Sequence, residues 1–151
     1  VRLSRIALGV AAAAVAIPLA AVPAQAAAAP AIQFTKVYYD SPGTDRRSNS
    51  SLNAEYVILK NVTRSTVKIG GWYVRDKTGY KYAFPAGMVI NAGKTMTVRT
   101  GQGKSGTSTR YWGRAAYVWN NDTDTAYLRT TTGKLIDSCS YDSTRYDYKN
   151  C

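Results

Sequence analysis

An all-β fold, a sandwich or a small barrel, is what this sequence predicts, and three observations carry that expectation. Lys94 to Thr100 alternates strictly, with Met96 and Val98 set between Thr95, Thr97 and Arg99, the period of two that marks a half-buried strand. No stretch after the first thirty residues repeats apolar side chains at i, i+3, i+4 and i+7 over three turns, so helix is expected to be essentially absent. Twelve tyrosines and three tryptophans suit the pleated, half-buried surface of a sheet.

The elements follow in order. Residues 1–26 read as a targeting segment: Arg2 and Arg5 form a short positive region, Ile6 to Ala20 carry no charge, and Ala24-Gln25-Ala26 has the small-x-small pattern of a signal-peptidase site. The apolar run is alanine-rich, broken by Pro18, and lacks a basic stop-transfer flank, so no transmembrane anchor is expected. Val1 in place of Met suggests a GTG start, a bacterial habit. Residues 27–31 form a short Ala/Pro leader, and one domain of 32–151 follows. Strands are predicted at Ile32 to Tyr39, Glu55 to Lys60, Trp72 to Asp76, Tyr80 to Phe84, Lys94 to Thr100, Asp124 to Arg129 and Leu135 to Tyr141. Lys77-Thr78-Gly79 is a short hairpin connection between two of them. Ser41 to Asn53 and Gly101 to Ala116 are predicted loops.

Setting Arg2 and Arg5 aside leaves 18 basic side chains against 9 acidic ones, a net charge of +9. That balance points to polyanionic surroundings, such as wall polymer, phospholipid headgroups or nucleic acid, or else to a charge that serves solubility. The only cysteines are Cys139 and Cys151, and an even count in an exported chain reads as a disulfide. The expected location is outside the cell, free or held at the wall.

Catalysis mostly fails on inventory, and the reading left for it is a hydrolase that uses aspartates, with or without a metal. Without histidine, Ser-His-Asp and Cys-His arrangements cannot form. Ser65-Thr66-Val67-Lys68 and Lys77-Thr78-Gly79 match two elements of a Ser-Lys mechanism, but Ser-Asp-Asn is missing and nothing near Ser65 has helical period. Gly103-Lys104-Ser105 lacks the earlier glycine of a phosphate loop, since Val98 stands there. Glu55 is the only glutamate; at the head of an apolar strand it reads as a structural hydrogen-bonding group rather than half of a glycosidase pair. Asp40 with Asp45, and Asp122 with Asp124, could supply calcium oxygens or simply make turns. No cofactor is expected. Arg110, Tyr111, Trp112 and Arg114, joined by Arg46 and Arg47 if their loop lies nearby, are the candidate polyanion-binding residues. The alternative for this cluster is that Trp112 and Trp119 close one end of the sandwich and the arginines are solvated.

Taken together, Tyr39-Asp40-Ser41-Pro42-Gly43, Asn53-Ala54-Glu55-Tyr56-Val57, Gly70-Gly71-Trp72-Tyr73-Val74, Asn91-Ala92-Gly93, Trp119-Asn120-Asn121, Asp124-Thr125-Ala126-Tyr127-Leu128 and Gly133-Lys134-Leu135 resemble the lamin-tail domain. That family is an immunoglobulin-like β-sandwich of nuclear lamins and of many exported bacterial proteins, and the resemblance runs from Ile32 to Tyr141. It implies a single sandwich with Trp72 and Trp119 as candidate core residues. It also implies a binding module, for protein partners and weakly for DNA in the eukaryotic members, rather than an enzyme. The Cys139 to Cys151 segment looks like an extension used by the secreted bacterial versions.

Overall fold

The computed structural model describes residues 28–151; the expected signal segment, 1–26, lies outside the described residues. Eleven strands and one short helix follow in the order β1 (Ile32–Tyr38), α1 (Asn49–Ala54), β2 (Tyr56–Asn61), β3 (Val67–Lys68), β4 (Tyr73–Arg75), β5 (Lys81–Ala83), β6 (Val89–Ile90), β7 (Thr95–Arg99), β8 (Thr109–Tyr111), β9 (Thr123–Arg129), β10 (Leu135–Asp142) and β11 (Tyr148–Asn150). One sheet has the order β11-β1-β2-β7-β8, the other β10-β9-β4-β5, and β3 pairs with β6 alone. The seven expected strands are all present within one or two residues. The fold is an immunoglobulin-like β-sandwich.

The inner faces follow from alternation. Ile32, Phe34, Val37, Val57, Leu59, Met96 and Val98 from one sheet meet Val74, Ala126, Leu128 and Cys139 from the other. Each is withdrawn from water, and full burial of one such aliphatic side chain contributes about 1.5–3 kcal/mol. At the top of β1 the ladder with β2 shifts between Phe34 and Lys36. The freed Phe34 N–H crosses to the other sheet and donates to Asp137 Oδ2 at 2.7 Å. Buried polar side chains are bonded in the same manner. Asn61 donates to the carbonyls of Ser65 and Ile90 at 2.7 and 2.8 Å and accepts from Thr63 N–H at 2.9 Å. Asp76 closes the β4–β5 hairpin by accepting from the N–H of Gly79 and Tyr80 at 2.7 and 2.6 Å. Gly71 enters β4 at φ 79°, a left-handed conformation open to glycine at little cost.

Three expectations are corrected. Helix is not absent: Asn49–Ala54 is helical inside the predicted Ser41 to Asn53 loop. Its apolar signal is a single buried residue, Leu52, so no period could announce it. What holds it is capping and docking. Ser48 Oγ accepts from Ser51 N–H at 3.2 Å, while Asn49 and Asn53 donate to the Gln102 carbonyl at 3.0 and 2.8 Å. A β-carbon on Gly101 would stand 2.6 Å from Asn49 Oδ1, so the dock requires glycine there. Second, the predicted Gly101 to Ala116 loop contains β8, which pairs parallel to β7. Third, Trp72 is only partly buried against the margin of the core, whereas Trp119 is 2% exposed within it.

The disulfide joins Cys139 to Cys151, twelve residues apart in sequence. It returns the chain end to β10 after β11 has paired with the open edge of β1, Lys36 facing Asn150 and Tyr38 facing Tyr148. All three residues of β11 are exposed, so the ladder, the packing of Tyr148 on Tyr38 and this bond are what hold them. Replacing both cysteines by serine is expected to cost about 3 kcal/mol, the loop-closure value for a ring of this size. Hydrogen exchange should show protection lost first at β11, and unaltered protection there would contradict this account.

Candidate anion-binding surface

The outward face of the four-stranded sheet is set by the register of β4, β5 and β9. Val74 and Leu128 point inward, so their neighbours Tyr73, Arg75, Tyr127 and Arg129 point out. Arg75 stands directly opposite Lys81 on one side and Tyr127 on the other. Tyr73 stands opposite Arg129 in the next row. Three cations therefore occupy adjoining positions, each lying near a tyrosine ring. Lys81 Nζ is 4.0 Å from the centroid of Tyr73, and the Arg75 and Arg129 guanidinium carbons are 5.9 and 5.5 Å from that of Tyr127. No outward position of β4, β5 or β9 carries a carboxylate. Like charges directly opposite one another weaken a sheet, and the rings offset part of that repulsion.

The residues singled out from sequence are dispersed around this face. Arg110 faces inward, because its cross-strand neighbour is the buried Val98. Its Nε donates to the Tyr82 hydroxyl at 3.2 Å and Nη1 to the Gly106 carbonyl at 3.2 Å, so it spans the gap between edge strands β8 and β5. Trp112 is half-buried beside Tyr82 and lies edge-on to Trp119, with centroids 5.8 and 6.2 Å away. Tyr111 N–H donates to Ser105 Oγ at 3.2 Å. Arg114 lies 3.9 Å over the ring of Tyr80, which is 45% exposed and precedes Lys81. It thereby extends the cationic face around the β5 edge. Arg46 and Arg47 are exposed in the loop before α1, and no hydrogen bond links them to Arg110 or Arg114 among the described residues.

The acidic groups are used elsewhere. Asp124 Oδ1 accepts from Lys77 and Thr125 N–H at 3.0 and 2.7 Å, and its Oδ2 from Asn120 N–H at 3.3 Å, which makes it a turn-closing group. Asn121 Nδ2 bridges Asp40 and Asp45 at 2.9 and 3.1 Å. Burial, with Asp45 and Asp147 nearby, raises the Asp40 carboxyl above its ordinary range. This acidic end adjoins β1; on the outer face of the four-stranded sheet, Asp142 stands at the end of β10 opposite Thr123, away from Arg75, Lys81 and Arg129. Among the described residues no three cysteines or carboxylates are grouped as a metal would require, and no helix is long and apolar enough to cross a membrane.

A rigid sandwich with a dispersed polar surface and a charged, aromatic outer sheet defines an immunoglobulin-like module. Comparison with known families places it more narrowly. The model of the lamin tail domain matches residues 25–143, and the chain belongs to that family. No curated protein matches the sequence. The match ends before β11, so residues 144–151, with Cys151, extend beyond the matched module.

The sequence alone did not single out Arg75, Lys81 and Arg129. Their signal was alternation within three separate strands, and only cross-strand register, set by Val74 and Leu128 packing inward, assembles them.

Proposed function

We propose that this chain is a non-catalytic binding domain acting outside the cell, and that its ligand is a polymer with a phosphodiester backbone. The observation that carries the reading is the Lys81–Arg75 pair. Two cations face each other across a ladder, a third stands in the next row, and no outward position of their strands carries a carboxylate. A phosphate chain laid across them relieves that repulsion and releases counterions, a gain that falls steeply with salt. Arg114 on Tyr80 lengthens the track, and Arg46 and Arg47 add local positive potential. Action outside the cell is supported by the disulfide, a bond kept in oxidising compartments, and by the leader-like pattern of residues 1–26.

The test is binding to polyglycerol phosphate wall polymer, duplex DNA and uncharged dextran over a range of salt. Both phosphodiester polymers are expected to bind and dextran is not; the stronger of the two identifies the source. The double variant Arg75→Ala, Lys81→Ala should lower the log–log salt slope by about 2, roughly one unit per cation removed. Its thermal stability should be retained or raised, since a like-charged pair is gone. An unchanged slope, or equal capture by dextran, would refute the assignment.

A further inference from the structure

We infer that the domain carries a second anion-binding face on the opposite sheet and therefore bridges two DNA duplexes. The inference rests on the binding mode proposed for the first face.

The outward rows of the five-stranded sheet repeat the same chemistry with different residues. One row runs Tyr148, Tyr38, Tyr56, Arg99, Tyr111 across β11, β1, β2, β7 and β8. The next runs Asn150, Lys36, Ile58, Thr97, Thr109, and the third places Gln33, Lys60 and Thr95 side by side. Each row contributes one cation, and none contains a carboxylate. Tyr38 stacks on Tyr148 and on Tyr56 with centroids 5.7 and 5.3 Å apart. Lys36 Nζ lies 4.2 Å from the centroid of Tyr148, and the Arg99 guanidinium carbon 5.1 Å from that of Tyr56. The tyrosines stand shoulder to shoulder, so their edges and hydroxyls form a stiff bed between cations. Packed side chains occupied in this way lose little entropy when a polymer settles on them.

The two faces cannot serve one stiff strand. They look in opposite directions across a closed core whose sheets are about 10 Å apart. A duplex with a persistence length of about 150 base pairs does not fold around so small a body. The acidic end formed by Asp40, Asp45 and Asp147 also opposes passage around the rim beside Tyr38, whose hydroxyl donates to Asp147 at 3.5 Å. For duplex DNA, two faces thus mean two molecules.

The experiment uses the full chain with duplex DNA in two forms. With short duplexes, titration should reach two per chain. With long duplexes, low-speed sedimentation should pellet DNA at intermediate protein ratios and release it at excess protein, when each duplex is coated separately. The variant Lys36→Ala, Lys60→Ala should still bind, at one short duplex per chain, and should lose pelleting. Arg75→Ala, Lys81→Ala should do the same from the other face. Binding of one duplex by the native chain, or undiminished pelleting by either variant, overturns the bridging proposal while leaving the first face intact. Absence of binding in every form overturns both.

Discussion

Replacing Glu55 with alanine is expected to cost about 4 kcal/mol of folding stability, since each buried donor left unpaired costs about 1–3 kcal/mol. The residue is wholly buried. Its Oε1 accepts from Trp119 N–H at 2.8 Å and its Oε2 from Val118 N–H at 3.1 Å. These bonds tie the start of β2 to the segment that leads into β9, where the backbone has no ladder partner of its own. A glutamine retains one acceptor and turns an N–H₂ toward a donor, so Glu55→Gln should fall between alanine and the native chain.

The same carboxyl makes stability depend on pH. Burial pushes Glu55 up to about 7 from 4.5, against the lowering effect of the Thr100 hydroxyl and the two N–H groups. The folded chain thus holds the proton more tightly than the unfolded one. Its contribution is complete below about pH 4.5 and is lost as pH rises through about 7, a decline of about 3 kcal/mol. Urea unfolding across this interval should show the midpoint falling with pH in the native chain and a flatter profile in Glu55→Gln. A native midpoint that rises or stays level would refute the assignment.

Trp119→Ala is expected to cost about 4 kcal/mol, in the range for emptying an aromatic site in a core. The ring is 2% exposed and meets Trp112 edge-on at 6.2 Å. Trp72→Ala should cost about half as much, because a partly buried side chain leaves a smaller cavity and the site stays open to water. The Trp72 backbone is held independently, its N–H donating to Ile69 at 3.0 Å and its carbonyl accepting from Phe84 at 2.8 Å. Denaturant unfolding of the two variants measures the contrast. Equal losses would show that the two indoles are buried alike.

These two tryptophans show what the sequence carried and what it did not. Both sat in the family pattern, so both were expected inside. Depth depends on which sheet edge a residue abuts, and Trp72 lies ahead of β4 at a margin. Glu55 was recognisable as a structural carboxylate, yet its partners lie more than sixty residues away, beyond any local pattern. The cationic faces were hidden for the same reason. Alternation in Lys94 to Thr100 already turned Arg99 outward, but nothing local set it beside Tyr56 or set Lys81 beside Arg75. Arg110 shows the converse. Its neighbours Tyr111 and Trp112 suggested an exposed cluster, while parallel pairing of β8 with β7 turned its side chain to the inside. Register, a property of strand pairs, decided each case.

The bond between Cys139 and Cys151 also determines how the domain bears load. A pull applied at Cys151 does not peel β11 from β1 one hydrogen bond at a time. It passes through the sulfur bridge into β10, whose ladder with β9 runs from Leu135 to Asp142. The weakest strand is thereby bypassed, and the load enters the longest one. The covalent shortcut lets Cys151 carry force while the surfaces on both sheets keep their shape.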